Sequence, residues 1–307
     1  KAIICKGCGN HCHLTVNLFG NHNKYIAGNR CERLFGGETR EQLNLYDYKR
    51  KLLKKYREVP CEHGKPVIGI PMGLNFYELL PFWHTFWTTL GFNVLVSPES
   101  SRALYRRGQY TIPSDTVCYP AKLMHGHIEW LMECKPDAIF YPDMTYNVDE
   151  HLGGNHYNCP VVAYYPQVLK NNVVRLRECV FIDDFISLHN KKEFYVHIKR
   201  IVDRYFPGIP KAKVRLATEA AYREYEDYLS KIRDRGAELL RMAEAHELPV
   251  IVLCGRPYHI DPEISHGIDN QICSLGAVVL TEDSVSHLVK PFAVNVMNQW
   301  TYHSRLY

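Results

Sequence analysis

The sequence has no long hydrophobic run. None of its apolar stretches approaches the roughly 18 consecutive apolar residues that a membrane-spanning helix needs, so no membrane span is expected. The amino-terminal residues Lys1-Ala-Ile-Ile-Cys5 lack the apolar core and the small-residue cleavage site of a signal peptide. The chain also begins without an initiator Met. We therefore expect a piece of a longer, cytoplasmic protein.

Several motifs with well-defined chemistry are also missing. The chain contains no Walker or dinucleotide-binding fingerprint, no G-x-S-x-G nucleophile elbow and no clustered acidic metal motif. We therefore assign no ATPase activity to these residues. The 21 tyrosines are scattered and no nucleic-acid-binding motif accompanies them, so nucleic acid is not an expected partner. Internal repeats and low-complexity tracts are absent as well.

Charge is distributed unevenly along the chain. The formal net charge is +4, but residues 1–60 carry 12 Lys and Arg against 5 Asp and Glu, which is +7 for this segment alone. Such a basic segment suits an acidic partner or a coenzyme phosphate.

Cysteine is abundant, with 11 residues in 307. Disulfides are rare in the cytosol and an odd number does not suit a fully paired framework, so metal ligation explains some of these thiols better. The clearest group is Cys5, Cys8 and Cys12, followed by Cys31. Two short strands are predicted between Cys12 and Cys31, and such a small hairpin needs a metal to hold it together. Four thiolates suit structural zinc or an iron–sulfur cluster.

The rest of the chain alternates strands with helices. Strands are predicted at 67–70, 92–96, 137–141, 160–165, 250–253 and 277–280. Because this alternation is typical of right-handed βαβ crossovers, it predicts parallel sheets. The fold class is therefore α/β, with two Rossmann-like parallel-sheet domains, the second incomplete, and a small Cys-rich amino-terminal metal knot. The predicted units are 1–37 (Cys-rich hairpin), 38–65 (linker helix), 66–189 (first α/β domain), 190–248 (helical connection) and 249–307 (partial second α/β domain).

The segment Ser114-Asp-Thr-Val-Cys118-Tyr-Pro-Ala-Lys122 precedes a helix predicted over 121–133. A helix start offers free N–H groups and a partial positive charge, which favour a thiolate at Cys118. Free cysteine is also among the most buried residue types, so this stretch alone favours a small buried apolar residue at Cys118. His125 and His127 are two positions apart on the helix, so at most one of them points at a site near Cys118.

A second cysteine follows a long polar loop. Residues 142–158 lead to Cys159 at the start of the strand predicted over 160–165, and loops of this length are usually functional or disordered. Ligands of parallel sheets collect at the carboxyl ends of the strands. With Cys159 at the amino end of a strand, topology leaves open whether it meets Cys118. The turn Gly255-Arg-Pro-Tyr-His-Ile-Asp261, after another strand, suits an anion or a coenzyme.

Several stretches together resemble one family. They are Cys5-Lys-Gly-Cys8 with Cys12, Gly28-Asn-Arg-Cys31, Ser114 to Lys122 with His125-Gly-His127, His156-Tyr-Asn-Cys159-Pro160, and Gly255 to Asp261. The chain resembles the acyl-CoA dehydratase activase-related proteins, which are relatives of 2-hydroxyacyl-CoA dehydratases such as 2-hydroxyglutaryl-CoA dehydratase.

The resemblance implies an oxygen-sensitive iron–sulfur cluster, of the [4Fe–4S] or double-cubane type, between two α/β domains. It implies Cys118 and Cys159 as cluster ligands and a third thiolate from a motif beyond the point equivalent to Tyr307. It further implies an ATP-dependent activator, as a separate protein or in the same full-length chain, and an acyl-CoA substrate in an anaerobic cell.

Two functional hypotheses follow. The first is an iron–sulfur component of an ATP-driven, low-potential electron-transfer system, with Cys118 and Cys159 at the core site and Cys5, Cys8, Cys12 and Cys31 at a second metal centre. The second is a non-catalytic, zinc-stabilised scaffold that docks an activator ATPase to its target through the basic amino-terminal segment.

Overall fold

The computed structural model describes residues 1–4, 13–19, 24–28, 43–290 and 295–306. Its strands form three sheets. The first is antiparallel and consists of β1 Ala2–Ile4, β2 His13–Leu18 and β3 Lys24–Ala27. The predicted hairpin strands are therefore present, whereas Cys5, Cys8, Cys12 and Cys31, the predicted metal knot, lie outside the described residues.

The second sheet is parallel and contains four strands in the order β5-β4-β6-β7. Its strands are β4 Val67–Ile70, β5 Asn93–Val96, β6 Ala138–Phe140 and β7 Val180–Ile182. The chain first steps from β4 to β5 on one side and then crosses to β6 on the other. This reversal leaves a crevice at the carboxyl ends of β4 and β6, where parallel sheets bind their ligands.

The third sheet is a parallel pair, β8 Val250–Leu253 and β9 Val278–Thr281, with Asn44 bridged to Val279 of β9. The architecture is thus α/β with parallel sheets, as the alternation of strands and helices predicted. The α-helices are α1 Leu45–Arg57, α2 Phe76–Thr89, α3 Arg102–Gly108, α4 Tyr119–Cys134, α5 Pro160–Asn172, α6 Lys191–Tyr205, α7 Lys211–Ala245, α8 Pro262–Ser265, α9 Ile268–Ser274, α10 Glu282–Val285 and α11 Thr301–Ser304.

The prediction of a strand over 160–165 is wrong, because these residues form the start of helix α5. The buried side chains Val162, Tyr165 and Leu169 recur at helical spacing, whereas Tyr164 between them is exposed. A short apolar run does not by itself distinguish a strand from a buried helix. The strand that completes this sheet, β7, was not predicted.

One continuous hydrophobic cluster joins the two parallel sheets. Helix α2 is buried along most of its length, and Trp83 packs edge-on against Phe140 of β6 with ring centroids 4.6 Å apart. The long helix α7 packs along α2, where Tyr225 donates a hydrogen bond of 2.8 Å to Glu78. Helix α1 also enters this core through the buried ion pair of Lys49 with Asp283, 2.6 Å long. The four-stranded sheet and the β8-β9 pair are therefore packed as one body around α2 and α7.

No α-helix in the described part of the chain is long and apolar enough to cross a membrane.

Candidate functional site

The two cysteines singled out from the sequence occupy equivalent positions in the fold. Cys118 is the N-cap residue of α4 and Cys159 is the N-cap residue of α5, and each is followed by a proline, Pro120 or Pro160, in the first turn. Proline suits this turn because its missing N–H would have no helical partner. Neither cysteine side chain caps its helix, and Cys118 is exposed while Cys159 is half-buried. The interpretation of Cys118 as a buried apolar residue is therefore wrong.

Sheet topology explains why both thiols lie at the same edge. Helices α4 and α5 are the crossovers that enter and leave β6, and each ends just before the next parallel strand begins. A crossover helix runs opposite to its strands, so its amino end lies at their carboxyl edge. Cys159 was expected at the amino end of a strand; the structure instead brings it to the carboxyl edge with Cys118.

A tyrosine from the second α/β unit contacts this region. Tyr258 lies in a 3-10 turn, Pro257–Ile260, that follows β8. Burial raises the pKa of Tyr258 to about 12, with smaller upward contributions from the negative charges of Cys118 and Cys159 and an opposing one from Arg256. The charges of both thiols therefore act on the same phenol, which agrees with their position at one edge of the sheet.

The two sides of this cleft are joined by polar contacts. Tyr119, next to Cys118, donates a hydrogen bond of 2.8 Å to Glu263 of α8. Burial raises the pKa of Asp261, whose Oδ1 accepts a hydrogen bond of 2.9 Å from the N–H of Glu263. The turn predicted as an anion or coenzyme pocket thus forms one wall of the cleft.

The two histidines of α4 point to different partners. The ring of His125 contacts the hydroxyls of Thr111 at 2.7 Å and Tyr165 at 3.0 Å. The ring of His127 lies between Ser97 at 2.8 Å and Ser100 at 3.0 Å. Burial lowers the pKa of His125 to about 4 and that of His127 to about 3, so both rings are neutral at pH 7. Because both ring nitrogens of each histidine already have partners, these side chains support the site and are not free to bind a metal.

Some buried polar atoms at the same edge have no hydrogen-bond partner among the described residues. They include Asn75 Oδ1, Tyr141 Oη and Asp143 Oδ1. Burial raises the pKa of Asp143 to about 6, and a hydrogen bond from Gln167 opposes that rise. Burial also raises the pKa of Tyr141, to which the charges of Tyr165, Asp143 and Cys118 add. Buried polar groups are normally paired, so unpaired ones at the sheet edge that carries the thiols suit a polar ligand. The sequence analysis missed these residues, although each follows the carboxyl end of β4 or β6.

The loop that carries Cys159 is held by the segment 295–306. Tyr157 of the loop forms a bridge with Trp300, and its N–H donates a hydrogen bond of 2.9 Å to the carbonyl of Gln299. Asn147 donates a hydrogen bond of 2.8 Å to the hydroxyl of Tyr302. A long loop fastened in this way holds the start of α5 in one place.

Within the described residues, no group of three or more His, Cys, Asp or Glu side chains is arranged to hold a metal. Cys118 and Cys159 alone would thus make an incomplete donor set. Thiolates are the usual ligands of iron–sulfur clusters, and two positively polarised helix ends suit an anionic group. The chemistry of the two thiols fits part of a cluster site, and the assignment of Cys118 and Cys159 as ligands stays a prediction.

The fold and the cleft define an α/β protein with a pair of cysteines at helix amino ends. The family described as CoA enzyme activase uncharacterised domain matches residues 67–285, which is well over half of the chain. The chain belongs to this acyl-CoA dehydratase activase-related family, and the resemblance found from the sequence motifs is confirmed. Neither the curated proteins nor the solved structures contain a significant match to the chain.

Proposed function

We propose that this chain is the iron–sulfur component of an ATP-driven, low-potential electron-transfer system that serves a CoA-dependent enzyme. Cys118 and Cys159 would bind the cluster in the cleft between two Rossmann-like units. The observation that carries this proposal is the pair of thiols at two helix amino ends on one sheet edge, both close to Tyr258. The family to which the chain belongs supports a connection with CoA enzymes.

The bound cluster would supply one-electron transfer at low potential. The protein would contribute a partly dry surrounding, because Tyr258, Tyr141 and Tyr165 are buried around the thiols. A phenol near a ligating sulfur can donate a hydrogen bond to it, which tunes the potential of the cluster. The unpaired atoms of Asn75, Tyr141 and Asp143 would orient the polar end of an acyl-CoA substrate.

The remaining parts of the system lie outside the described residues. The cluster needs at least one further ligand, and Cys5, Cys8, Cys12 and Cys31 would hold a second centre with zinc or iron–sulfur. An activator domain or protein would bind and hydrolyse ATP, because the nucleotide-binding motifs are absent from this sequence. We place the system in the cytoplasm, where thiols stay reduced.

Anaerobic reconstitution with iron and sulfide, followed by metal counting and electron paramagnetic resonance, tests the core site. We expect Cys118→Ala and Cys159→Ala each to lower bound iron and to change the spectrum of the reduced protein. Cys134→Ala is the matched control: Cys134 is an exposed thiol on the same helix, α4, but at its far end, about 24 Å from Cys118 at 1.5 Å per residue.

Unchanged iron content and an unchanged spectrum in both Cys118→Ala and Cys159→Ala would refute the cluster assignment. If the wild-type chain takes up only zinc, and this zinc is lost on substitution of Cys5 or Cys8, the zinc-stabilised scaffold becomes the better description. Iron loss in the Cys134→Ala control would indicate a general effect of thiol removal.

A further inference from the structure

A small polar cavity lies apart from the cysteine cleft. It has a volume of about 70 Å³ and is enclosed by α7, α10, the 3-10 turn Ser286–Leu288, the loop before Cys159 and the segment 295–306. Its polar lining residues are Glu150, Arg233, Asp283, Ser286, His287 and Arg305. At roughly 10–15 Å³ per enclosed water, the cavity has room for a handful of waters.

The acidic residues of the cavity already have cationic partners. Asp283 forms an ion pair of 2.6 Å with Lys49. Both oxygens of Glu150 accept hydrogen bonds from Arg305, at 2.7 and 2.8 Å. These carboxylates are therefore not available to neutralise a further cation in the cavity.

Arg305 is committed to these carboxylates, but the other donors of the cavity are not. Arg233 Nε is buried and has no hydrogen-bond partner among the described residues. The N–H of Ser286 donates to the carbonyl of Glu282, which leaves its hydroxyl for a ligand, and His287 is exposed. Burial and the positive charge of Arg233 both lower the pKa of His287, so these two side chains lie close to each other. A buried guanidinium nitrogen without an acceptor costs free energy, because its hydration is lost and nothing replaces it. The unpaired Nε of Arg233, the hydroxyl of Ser286 and the ring of His287 thus line one small space.

We propose that this cavity binds a small tetrahedral oxyanion, phosphate or sulfate, through Arg233, Ser286 and His287. A guanidinium fork matches two oxyanion oxygens, and a hydroxyl and an imidazole N–H suit the others. The volume admits one such group and excludes a whole nucleotide. The site is independent of the proposed cluster, because none of its lining residues surrounds Cys118 or Cys159.

Isothermal titration calorimetry of the full chain with sodium sulfate and with sodium phosphate, at ionic strength held constant with chloride, tests this site. We expect saturable binding of one anion per chain. Hydrogen bonds to charged groups contribute about 1.5–3 kcal/mol, so Arg233→Gln should weaken binding about tenfold to a hundredfold. Arg223→Gln is the matched control, since Arg223 is an exposed arginine on the same helix, and it should bind like the wild type.

A second variant, Arg233→Lys, distinguishes loss of the anion site from misfolding. Arg233→Lys keeps the charge but loses the planar fork, and we expect it to weaken binding less than Arg233→Gln does. The proposal is overturned if neither anion saturates, if Arg233→Gln binds like the wild type, or if Arg223→Gln loses as much affinity as Arg233→Gln. Saturable binding of sodium acetate with no binding of sulfate or phosphate would also overturn it, in favour of a carboxylate site.

Discussion

Arg305 is the residue whose replacement should damage the folded state most clearly. Its side chain is 1% exposed and lies between Glu78, which is 2% exposed, and Glu150, which is 16% exposed. Arg305 donates hydrogen bonds to Glu78 at 2.6 and 3.1 Å and to Glu150 at 2.7 and 2.8 Å. This guanidinium therefore connects the segment 295–306 to helix α2 and to the loop that leads to Cys159.

We expect Arg305→Met to lower the free energy of unfolding by about 3–5 kcal/mol, which is typical when one partner of a buried ion pair is removed. Methionine fills much of the volume of arginine, so the loss arises from two carboxylates that no longer have a cation. The double variant Glu78→Gln/Arg305→Met should recover part of the loss, because it leaves one buried charge fewer.

Equilibrium unfolding in urea measures these differences. Arg107→Met is the matched control: the ion pair of Arg107 with Glu133 has the same 2.6 Å separation as that of Arg305 with Glu78, but its side chains are 38% and 51% exposed. An exposed pair of this kind contributes at most about 1 kcal/mol. Equal losses in Arg305→Met and Arg107→Met would refute the reasoning that burial decides the effect.

The same variant should also change the surroundings of Cys159. Because the segment 295–306 fastens the loop before α5, we expect Arg305→Met to increase the rate at which maleimide modifies Cys159 in the native protein. Peptide mapping by mass spectrometry would measure that rate. An unchanged rate at Cys159, alongside lower stability, would show that the clamp stabilises the fold without positioning the thiol.

Three further predictions concern other parts of the chain. Burial lowers the pKa of His127 from 6.5 to about 3, so below pH 6.5 the unfolded state binds a proton that the folded state does not. The free energy of unfolding should therefore fall by roughly 2 kcal/mol between pH 7 and pH 5 because of this residue, and should fall less in His127→Gln. Urea unfolding at both pH values measures this, and an equal fall in the wild type and the variant would contradict it. A Cβ on Gly126 would lie 2.1 Å from the carbonyl oxygen of Leu104, so Gly126→Ala should lower the free energy of unfolding in urea by roughly 1–3 kcal/mol. Gly154→Ala, whose Cβ would have its nearest atom at 3.5 Å, should be close to neutral. Comparable losses of stability in the two variants would exclude a steric cause. Maleimide should modify exposed Cys118 within the native state but Cys273, which is 2% exposed, only on unfolding, and early modification of Cys273 by mass spectrometry would contradict its burial.

Much of the first α/β unit was predictable from local patterns. Strands β4, β5 and β6 lie within one residue of their predicted bounds, because buried strands here are short apolar runs. Helix α2, between β4 and β5, ends beside Gly91. Gly91 adopts a positive φ of 94°, which other residues rarely adopt. This single residue therefore determines where helix α2 ends.

The start of α5 was not predictable in the same way. Pro160 to Tyr165 is an apolar run with strand-like composition, and cysteine is not a residue that usually signals an N-cap. The helical recurrence of Val162, Tyr165 and Leu169 emerges only over a longer window. Strand β7, with three residues, is too short for a pattern of its own and depends on pairing with β6.

The sequence by itself determined the α/β class, the family, and Cys118 and Cys159 as the residues with distinctive chemistry, because motifs and periodicity are local properties of the chain. Only the tertiary structure decided that these two thiols share an edge with Tyr258, since that depends on the direction in which two crossover helices return along the sheet. The partners of Arg305 and the unpaired donors around Arg233 are likewise contacts between distant segments. Such contacts depend on packing and burial, which no short stretch of residues specifies.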